Sequence, residues 1–234
     1  MTALGRLLVV SPHLDDAVFA CGGVLASYPG ATVLTVFAGD QPPDQSLTDW
    51  DRDCGFAEGD DVMRSRRAED EAALELLHAT PIRLAFLDAQ YAATPSIPTL
   101  ARVLHDEIAR IQPDTLMFPL GLFHSDHCAV HEAVLHLLQH FTGACYAYED
   151  ALYRRLDDRL DERLSLLRQA GWRTTRLTFP TSAHALTLKR QAAQCYRSQL
   201  AGLATPGRPG LADIEQPEAY WQIRHIESAH AGSR

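Results

Sequence analysis

Short apolar, β-branched runs alternate with segments of helical spacing through the first half of this 234-residue chain. That alternation constrains the fold more than any other feature. Residues 6–10 (RLLVV), 31–39 (ATVLTVFAG), 82–89 (IRLAFLDA) and 115–121 (TLMFPLG) read as strands, and 15–28, 62–78, 97–112 and 127–140 read as helices. Strands that are apolar on both faces, separated by helices, build a parallel sheet covered on each side. The expectation is a Rossmann-like, doubly wound α/β fold, mostly parallel, forming one domain over residues 1–234. Strands are also expected at 144–150 and 174–179, and helices at 156–169 and 184–200. Two stretches, 40–61 and 201–216, carry no period. The Pro- and Asp-rich 40–61 is long for a structureless connection, which suggests an active-site loop or a solvated acidic insertion.

Charge narrows the function. Lys and Arg total 21 against 30 Asp and Glu, a net charge of -9. A nucleic-acid binder would carry a basic patch or stripe, and an acidic chain gains nothing from an anionic membrane surface. No apolar run approaches the roughly 18 residues of a spanning helix. The N-terminal run leads straight into polar residues with no cleavage-site pattern, so it reads as a strand and not a signal peptide. Cys21, Cys54, Cys128, Cys145 and Cys195 are widely spaced with no C-x-x-C, which indicates reduced thiols and a cytoplasmic location. Oligomeric state stays open, a homo-oligomer included.

The first strand ends in Ser11-Pro12-His13-Leu14-Asp15-Asp16. A dinucleotide-binding domain would place G-x-G-x-x-G there, to bring backbone amides against a pyrophosphate. An imidazole and two carboxylates suit a cation instead. The fourth strand runs into Phe123-His124-Ser125-Asp126-His127. In a doubly wound sheet, strands 1 and 4 are neighbours, and the crevice beyond their carboxyl ends is where ligands bind. The two clusters would therefore converge although more than a hundred residues separate them. Two imidazoles with one carboxylate leave coordination positions open, which fits catalytic zinc or iron(II) better than a closed structural site. Asp15, beside Asp16, is placed to accept a proton from an activated water. His124, three residues before His127, is placed to protonate a leaving group.

Pro12-His13-Leu14-Asp15-Asp16 and His124-Ser125-Asp126-His127 resemble the P-H-x-D-D and H-x-D-H motifs of the PIG-L/LmbE-type N-acetylglucosaminyl deacetylases. The resemblance implies a zinc-dependent N-deacetylase acting on a small N-acetylated sugar, with His13, Asp16 and His127 as metal ligands, Asp15 as base and His124 as acid. It also implies substrate-binding roles for Arg66, in a helix resembling the family's R-x-x-E-x-x-x-A pattern, and for Asp88 after the third strand. A late helix from Lys189 to Gln199 resembles a further family pattern. Leu14 and Ala17 depart from the common P-H-P-D-D-E form, and Leu122 stands where some members carry a catalytic tyrosine.

Several residues are read more locally. Asp126 is expected to cap the helix that follows, to orient a site histidine from behind, or both. His131, at i+4 from His127, is expected in the core or behind the site. Read locally, Arg64, Arg66 and Arg67 are expected on a solvated helix face, with an arginine at the pocket rim as the alternative, binding sugar hydroxyls or a substrate carboxylate. Tyr148-Glu149-Asp150 and Trp50 could reach the crevice. Another metal-dependent hydrolase, a phosphoesterase or other amidase, and a non-catalytic sugar-binding module are the competing functions.

Overall fold

The computed structural model describes residues 4–42, 44–92, 94–206 and 211–226. The first half of the chain runs β1 (Leu7–Ser11), α1 (Asp16–Ser27), β2 (Thr32–Thr35), α2 (Asp49–Asp53), α3 (Val62–Leu76), β3 (Thr80–Arg83), α4 (Ile97–Ile111) and β4 (Thr115–Pro119). The second half continues α5 (Ser125–Leu138), β5 (Ala144–Tyr148), α6 (Arg159–Gln169), β6 (Trp172–Leu177), α7 (Ala183–Ala193), α8 (Arg197–Leu203), α9 (Leu211–Ile214) and β7 (Tyr220–His225). The strands form one mixed sheet in the order β3-β2-β1-β4-β5-β7-β6. The first five are parallel to one another, while β7 is antiparallel to both β5 and β6. Among the described residues no helix is long and apolar enough to cross a membrane.

Side-chain alternation along the buried strands builds two cores. Leu7, Val9, Val33, Met117 and Tyr146 face one layer with α1, α3, α7 and α8. Leu8, Val10, Leu34, Leu116 and Phe118 face the other, with α4, α5 and α6. Helix α1 is buried from Asp16 through Leu25 because α7 covers its outer side. Gly22 makes that approach possible: a Cβ there would stand 2.7 Å from Lys189 Cγ. Lys189 in turn pairs with Glu218 at 2.7 Å, and both side chains are buried. Lys189 therefore serves packing between α1, α7 and the approach to β7.

Chain order reverses between β1 and β4, which pair from Leu7↔Thr115 to Val9↔Met117. The loops after these strands diverge to opposite sides of the sheet and leave a crevice at their carboxyl ends. Both His/Asp clusters lie there.

The structure departs from the sequence expectations in particular places. The third strand ends at Arg83, because Phe86, Leu87 and Asp88 leave the sheet, held by Gly39 N–H donating to the Phe86 carbonyl. The expected helix 184–200 breaks between Ala193 and Arg197. The cause is tertiary: buried Tyr196 donates to Asp70 Oδ1 at 3.0 Å, which fixes the chain between α7 and α8. Strand β7 was not expected. The acidic stretch 40–61 is neither periodless nor a free insertion, since it contains α2, whose Thr48/Asp51 pair forms a capping box. Asp51 accepts from the Tyr91 hydroxyl at 2.7 Å, and Trp50 Nε1 donates to Gln199 at 3.3 Å. The second unpatterned stretch, 201–216, holds the end of α8 and α9, with 207–210 outside the described residues.

Candidate metal centre and catalytic crevice

Three of the expected site residues surround one point. The Asp16 Oδ2 atom lies 3.2 Å from His13 Nδ1 and 3.1 Å from His127 Nε2. Donor atoms of these three residues all fall within 4.8 Å of one another. His13 is set by β1 and by its own backbone N–H, which donates to Asp16 Oδ2 at 2.9 Å. Asp16 opens α1, and His127 lies in the first turn of α5. The β4–α5 turn that delivers His127 contains Gly121 at φ +72°, a left-handed conformation that favours glycine. A Cβ there would meet His131 Cβ at 2.9 Å.

Each imidazole is held from behind by a carboxylate. His13 Nε2 lies 3.1 Å from Asp126 Oδ2, and His127 Nδ1 lies 2.5 Å from Asp150 Oδ1. This leaves His13 Nδ1 and His127 Nε2 to face Asp16. A metal-binding histidine is usually fixed in the same way, its far ring nitrogen donating to a carboxylate. Asp150, 2% exposed, also accepts the Leu122 N–H at 3.0 Å. Of the Tyr148-Glu149-Asp150 trio, only Asp150 contacts a site histidine. Tyr148 donates to the Val10 carbonyl, and Glu149 accepts from Trp221 Nε1.

Asp126 does not cap α5. The N-cap is His124, whose Nδ1 accepts from Asp126 N–H at 3.3 Å. The Asp126 carboxylate, 0% exposed, is drawn into the crevice, where it accepts from Ala89 N–H and the Thr94 hydroxyl as well as facing His13. Charge attraction in a buried setting outweighs the local turn preference.

The remaining residues form the walls. Arg66 is 4% exposed, with Nη1 3.8 Å from Asp88 Oδ2 and no partner for its Nε. Asp88 accepts from Gln90 N–H at 3.0 Å and reaches within 3.7 Å of His13 Nε2. Its neighbours part from Arg66: Arg64 is exposed beside Asp61, while Arg67 reaches back to the Ala38 carbonyl and Asp40. Tyr153, on the turn after β5, packs edge-on to His127 with centroids 5.3 Å apart and stacks on His124 at 6.4 Å. Sequence reasoning had no signal for Tyr153. Trp50 packs against α8, where a Cβ on Gly202 would meet its ring at 2.9 Å. His131 lies in the core, its Nδ1 2.9 Å from the Pro119 carbonyl and its ring against Phe118. A cavity of about 760 Å³ between α7 and the α9–β7 connection contains none of these residues.

The electrostatics follow from the geometry. Burial alone would raise the Asp16 carboxyl, but His127 and His13 outweigh it and hold Asp16 well below the usual carboxylate range. Burial would lower His127, yet Asp16 and Asp150 raise it to about 9. His13 is likewise raised against burial, by Asp88, Asp126 and Asp16. Asp15 is pushed up to about 6 by burial and then by Asp16, with Arg66 and His13 opposing. His124 falls to about 4 through burial and then the neighbouring His13 and His127. Burial and then Asp16 and Asp15 raise the Tyr153 hydroxyl, so it remains a donor. The field that holds protons on His13 and His127 is one a divalent cation would also occupy, displacing those protons. The donor set of His13, Asp16 and His127 therefore fits a divalent metal ion.

Among solved structures, this one resembles the A40926 pseudoaglycone deacetylase, with 26% identity and a TM-score of 0.79 over 97% of this chain and 100% of that one. A triple mutant of a deacetylase of the teicoplanin biosynthetic pathway matches with 26% identity and a TM-score of 0.77 over the same shares. The 4-carboxy-2-hydroxymuconate hydratase of Pseudomonas putida matches with 20% identity and a TM-score of 0.57 over 98% of this chain and 100% of that one, a likeness of fold alone. No curated protein matches. The family model for GlcNAc-PI de-N-acetylase, PIG-L, matches residues 8–138, more than half of the sequence, and that span holds both His/Asp clusters. The chain belongs to the PIG-L family.

Proposed function

We propose that the chain is a metal-dependent hydrolase that removes the acetyl group from an N-acetylglucosamine-type sugar or glycoside. The observation that carries this reading is the convergence of His13, Asp16 and His127 within 4.8 Å, each imidazole backed by a carboxylate. The two structures at 26% identity are described as an A40926 pseudoaglycone deacetylase and a deacetylase of the teicoplanin biosynthetic pathway, which supports deacetylation of a small molecule. The five cysteines are unpaired, in keeping with a cytoplasmic location.

His13, Asp16 and His127 would hold one zinc or iron(II) ion. Bound there, the ion supplies Lewis-acid polarisation and a water of lowered pKa. Asp15 is the base that takes the proton from the attacking water. Its carboxylate is kept ionised at neutral pH by Arg66 and His13, which oppose burial and Asp16. Arg66 and Asp88 line the wall where sugar hydroxyls would bind, Asp88 as acceptor and Arg66 as donor. His124 has its Nδ1 occupied by the Asp126 N–H, so its Nε2 carries the proton. With the imidazolium disfavoured by burial and its histidine neighbours, a proton reaching His124 passes readily to the departing amine. Water adds to the carbonyl carbon, the C–N bond breaks, and acetate and the free amine result.

A two-ion phosphoesterase is the competing reading, because His13, Asp88, His124 and Asp126 also approach one point. The Asp126 oxygens already serve Ala89, Thr94 and His13, and Asp88 serves Gln90. That favours one ion. Acetate release from a panel of N-acetylated sugars and glycosides, with bound metal counted in parallel, tests the proposal. Metal-dependent release with one ion per chain is expected. Two ions with phosphate-ester cleavage and no acetate would replace the reading.

A further inference from the structure

Amide hydrolysis places negative charge on the acyl oxygen, and a protein donor aimed at that oxygen is worth more in a buried crevice than in water. Around the triad, the donors are nearly all engaged elsewhere. Leu122 N–H goes to Asp150 Oδ2 at 3.0 Å, and Ala89 N–H goes to Asp126 Oδ2 at 3.0 Å. Gln90 N–H goes to Asp88, Asp126 N–H to His124 Nδ1, and the Thr94 hydroxyl to Asp126. The Ser11 hydroxyl donates to the His13 carbonyl at 2.6 Å. The Arg66 guanidinium stands 3.8 Å from Asp88, and its unpartnered Nε belongs to the wall proposed to bind sugar hydroxyls. Leu122 packs into the core below α5.

Tyr153 is different. Its ring contacts both His127 and His124, yet among the described residues its hydroxyl donates no hydrogen bond. The side chain is partly exposed, and Asp16, Asp15, Asp150 and Asp88 all lie within electrostatic reach of its hydroxyl. Its placement is also tied to the metal centre. Tyr153 N–H closes a turn onto the Asp150 carbonyl at 3.0 Å, and Asp150 grips His127. One turn thus fixes both a metal-ligand support and a free phenol over the two site histidines.

We propose that Tyr153 is a catalytic residue whose hydroxyl donates a hydrogen bond to the acyl oxygen of the substrate amide as charge develops on it. The proposal rests on the deacetylase reading. A purely structural Tyr153 would act through its ring, which lies 5.5 Å from Phe123 as well as against the histidines.

Tyr153→Phe keeps the ring and removes only the oxygen. In the metal-loaded protein, on the N-acetylglucosamine glycoside turned over fastest by the unaltered chain, kcat should fall roughly 100-fold while KM stays within about threefold and metal content is unchanged. Affinity for acetohydroxamate, measured by calorimetry on the metal-loaded protein, should weaken about tenfold. Unchanged kcat, or unchanged acetohydroxamate affinity, overturns the assignment. Loss of activity together with loss of metal overturns it too, since the residue would then act only by positioning His127. If the unaltered chain releases no acetate from any glycoside, the deacetylase reading fails separately. The acetohydroxamate comparison then decides: a weaker Phe variant keeps the hydroxyl as a donor over the centre, and equal affinities remove it.

Discussion

Asp150 offers the sharpest test of how the proposed metal centre is held. It accepts from His127 Nδ1 at 2.5 Å and from the buried Leu122 N–H at 3.0 Å. Asp150→Ala removes both acceptors. Supports of this kind typically change metal affinity about 10- to 100-fold, or roughly 1.4–2.7 kcal/mol. A second effect opposes the first. Asp150 helps raise His127 to about 9, and that ring must lose its proton to bind metal. At pH 7 a proton held with a pKa near 9 weakens apparent affinity by roughly 100-fold. Removing Asp150 relieves part of that competition. The ratio of dissociation constants, variant to unaltered, should therefore stay within a fewfold of one at pH 7. It should climb to about 10–100 near pH 9.5, where His127 is deprotonated in both proteins. Competition against a chromophoric chelator at the two pH values reads the ratio directly. Folding should also suffer: an unpaired buried Leu122 N–H costs about 1–3 kcal/mol, which for a chain of this size is on the order of 2–10 °C in Tm. A ratio independent of pH, or equal affinities near pH 9.5, would refute the reasoning.

Three further outcomes follow from the same geometry. Asp15→Asn should keep its metal, by elemental analysis, and lose roughly 10²- to 10⁴-fold in kcat; full activity would remove Asp15 as base. Gly121→Ala should lower stability by about 1–3 kcal/mol in urea unfolding, because it forces a side chain into φ +72° and against His131. Asp70 is buried and, despite bonds from Arg83 and Tyr196, is raised to about 6 by burial. Its folded pKa exceeds the unfolded value, so its contribution is full below about pH 4 and is lost as pH rises through 6, a swing of roughly 3 kcal/mol. The stability difference between Asp70→Asn and the unaltered chain should shift by that amount between pH 4 and 7, and a constant difference would contradict the burial argument.

The convergence of His13, Asp16 and His127 was legible because each lies on, or opens the helix after, the loop that follows β1 or β4, and strand ends can be placed from local patterning. Leu7–Ser11 and Thr115–Pro119 are short, largely apolar runs that each lead within a few residues into a His/Asp cluster, and the switch-point rule makes them neighbours without any contact being known. The supports were harder to place because tertiary contact selects them. Asp150 becomes the partner of His127 only through the β4–β5 register, in which Pro119 pairs with Tyr148 and the following loops run side by side. Nothing local distinguishes it from Glu149. Of the two roles expected of Asp126, the cap fails for a related reason: its position fits an N-cap, but His13 across the crevice attracts the carboxylate, as the histidine-orienting role requires, and His124 takes the cap. The break between α7 and α8 depends on the Tyr196–Asp70 bond, which spans 126 residues.

The same distinction explains why two departures from the family motif should leave the proposed metal centre intact. Leu14 and Ala17 flank the carboxylates in sequence, yet both are turned away from the crevice, 1% and 0% exposed. Leu14 packs with Ala38, Met63 and Tyr91 in a small cluster of its own, and Ala17 lies in the main core with α1. Met63 precedes Arg66 by one turn of α3, and Tyr91 holds Asp51 of α2. A change at position 14 therefore acts on how α3 and the acidic segment sit against the crevice wall. It reaches Arg66 and the substrate side before it reaches His13, Asp16 or His127, so variation there should alter KM across a panel of glycosides more than metal affinity.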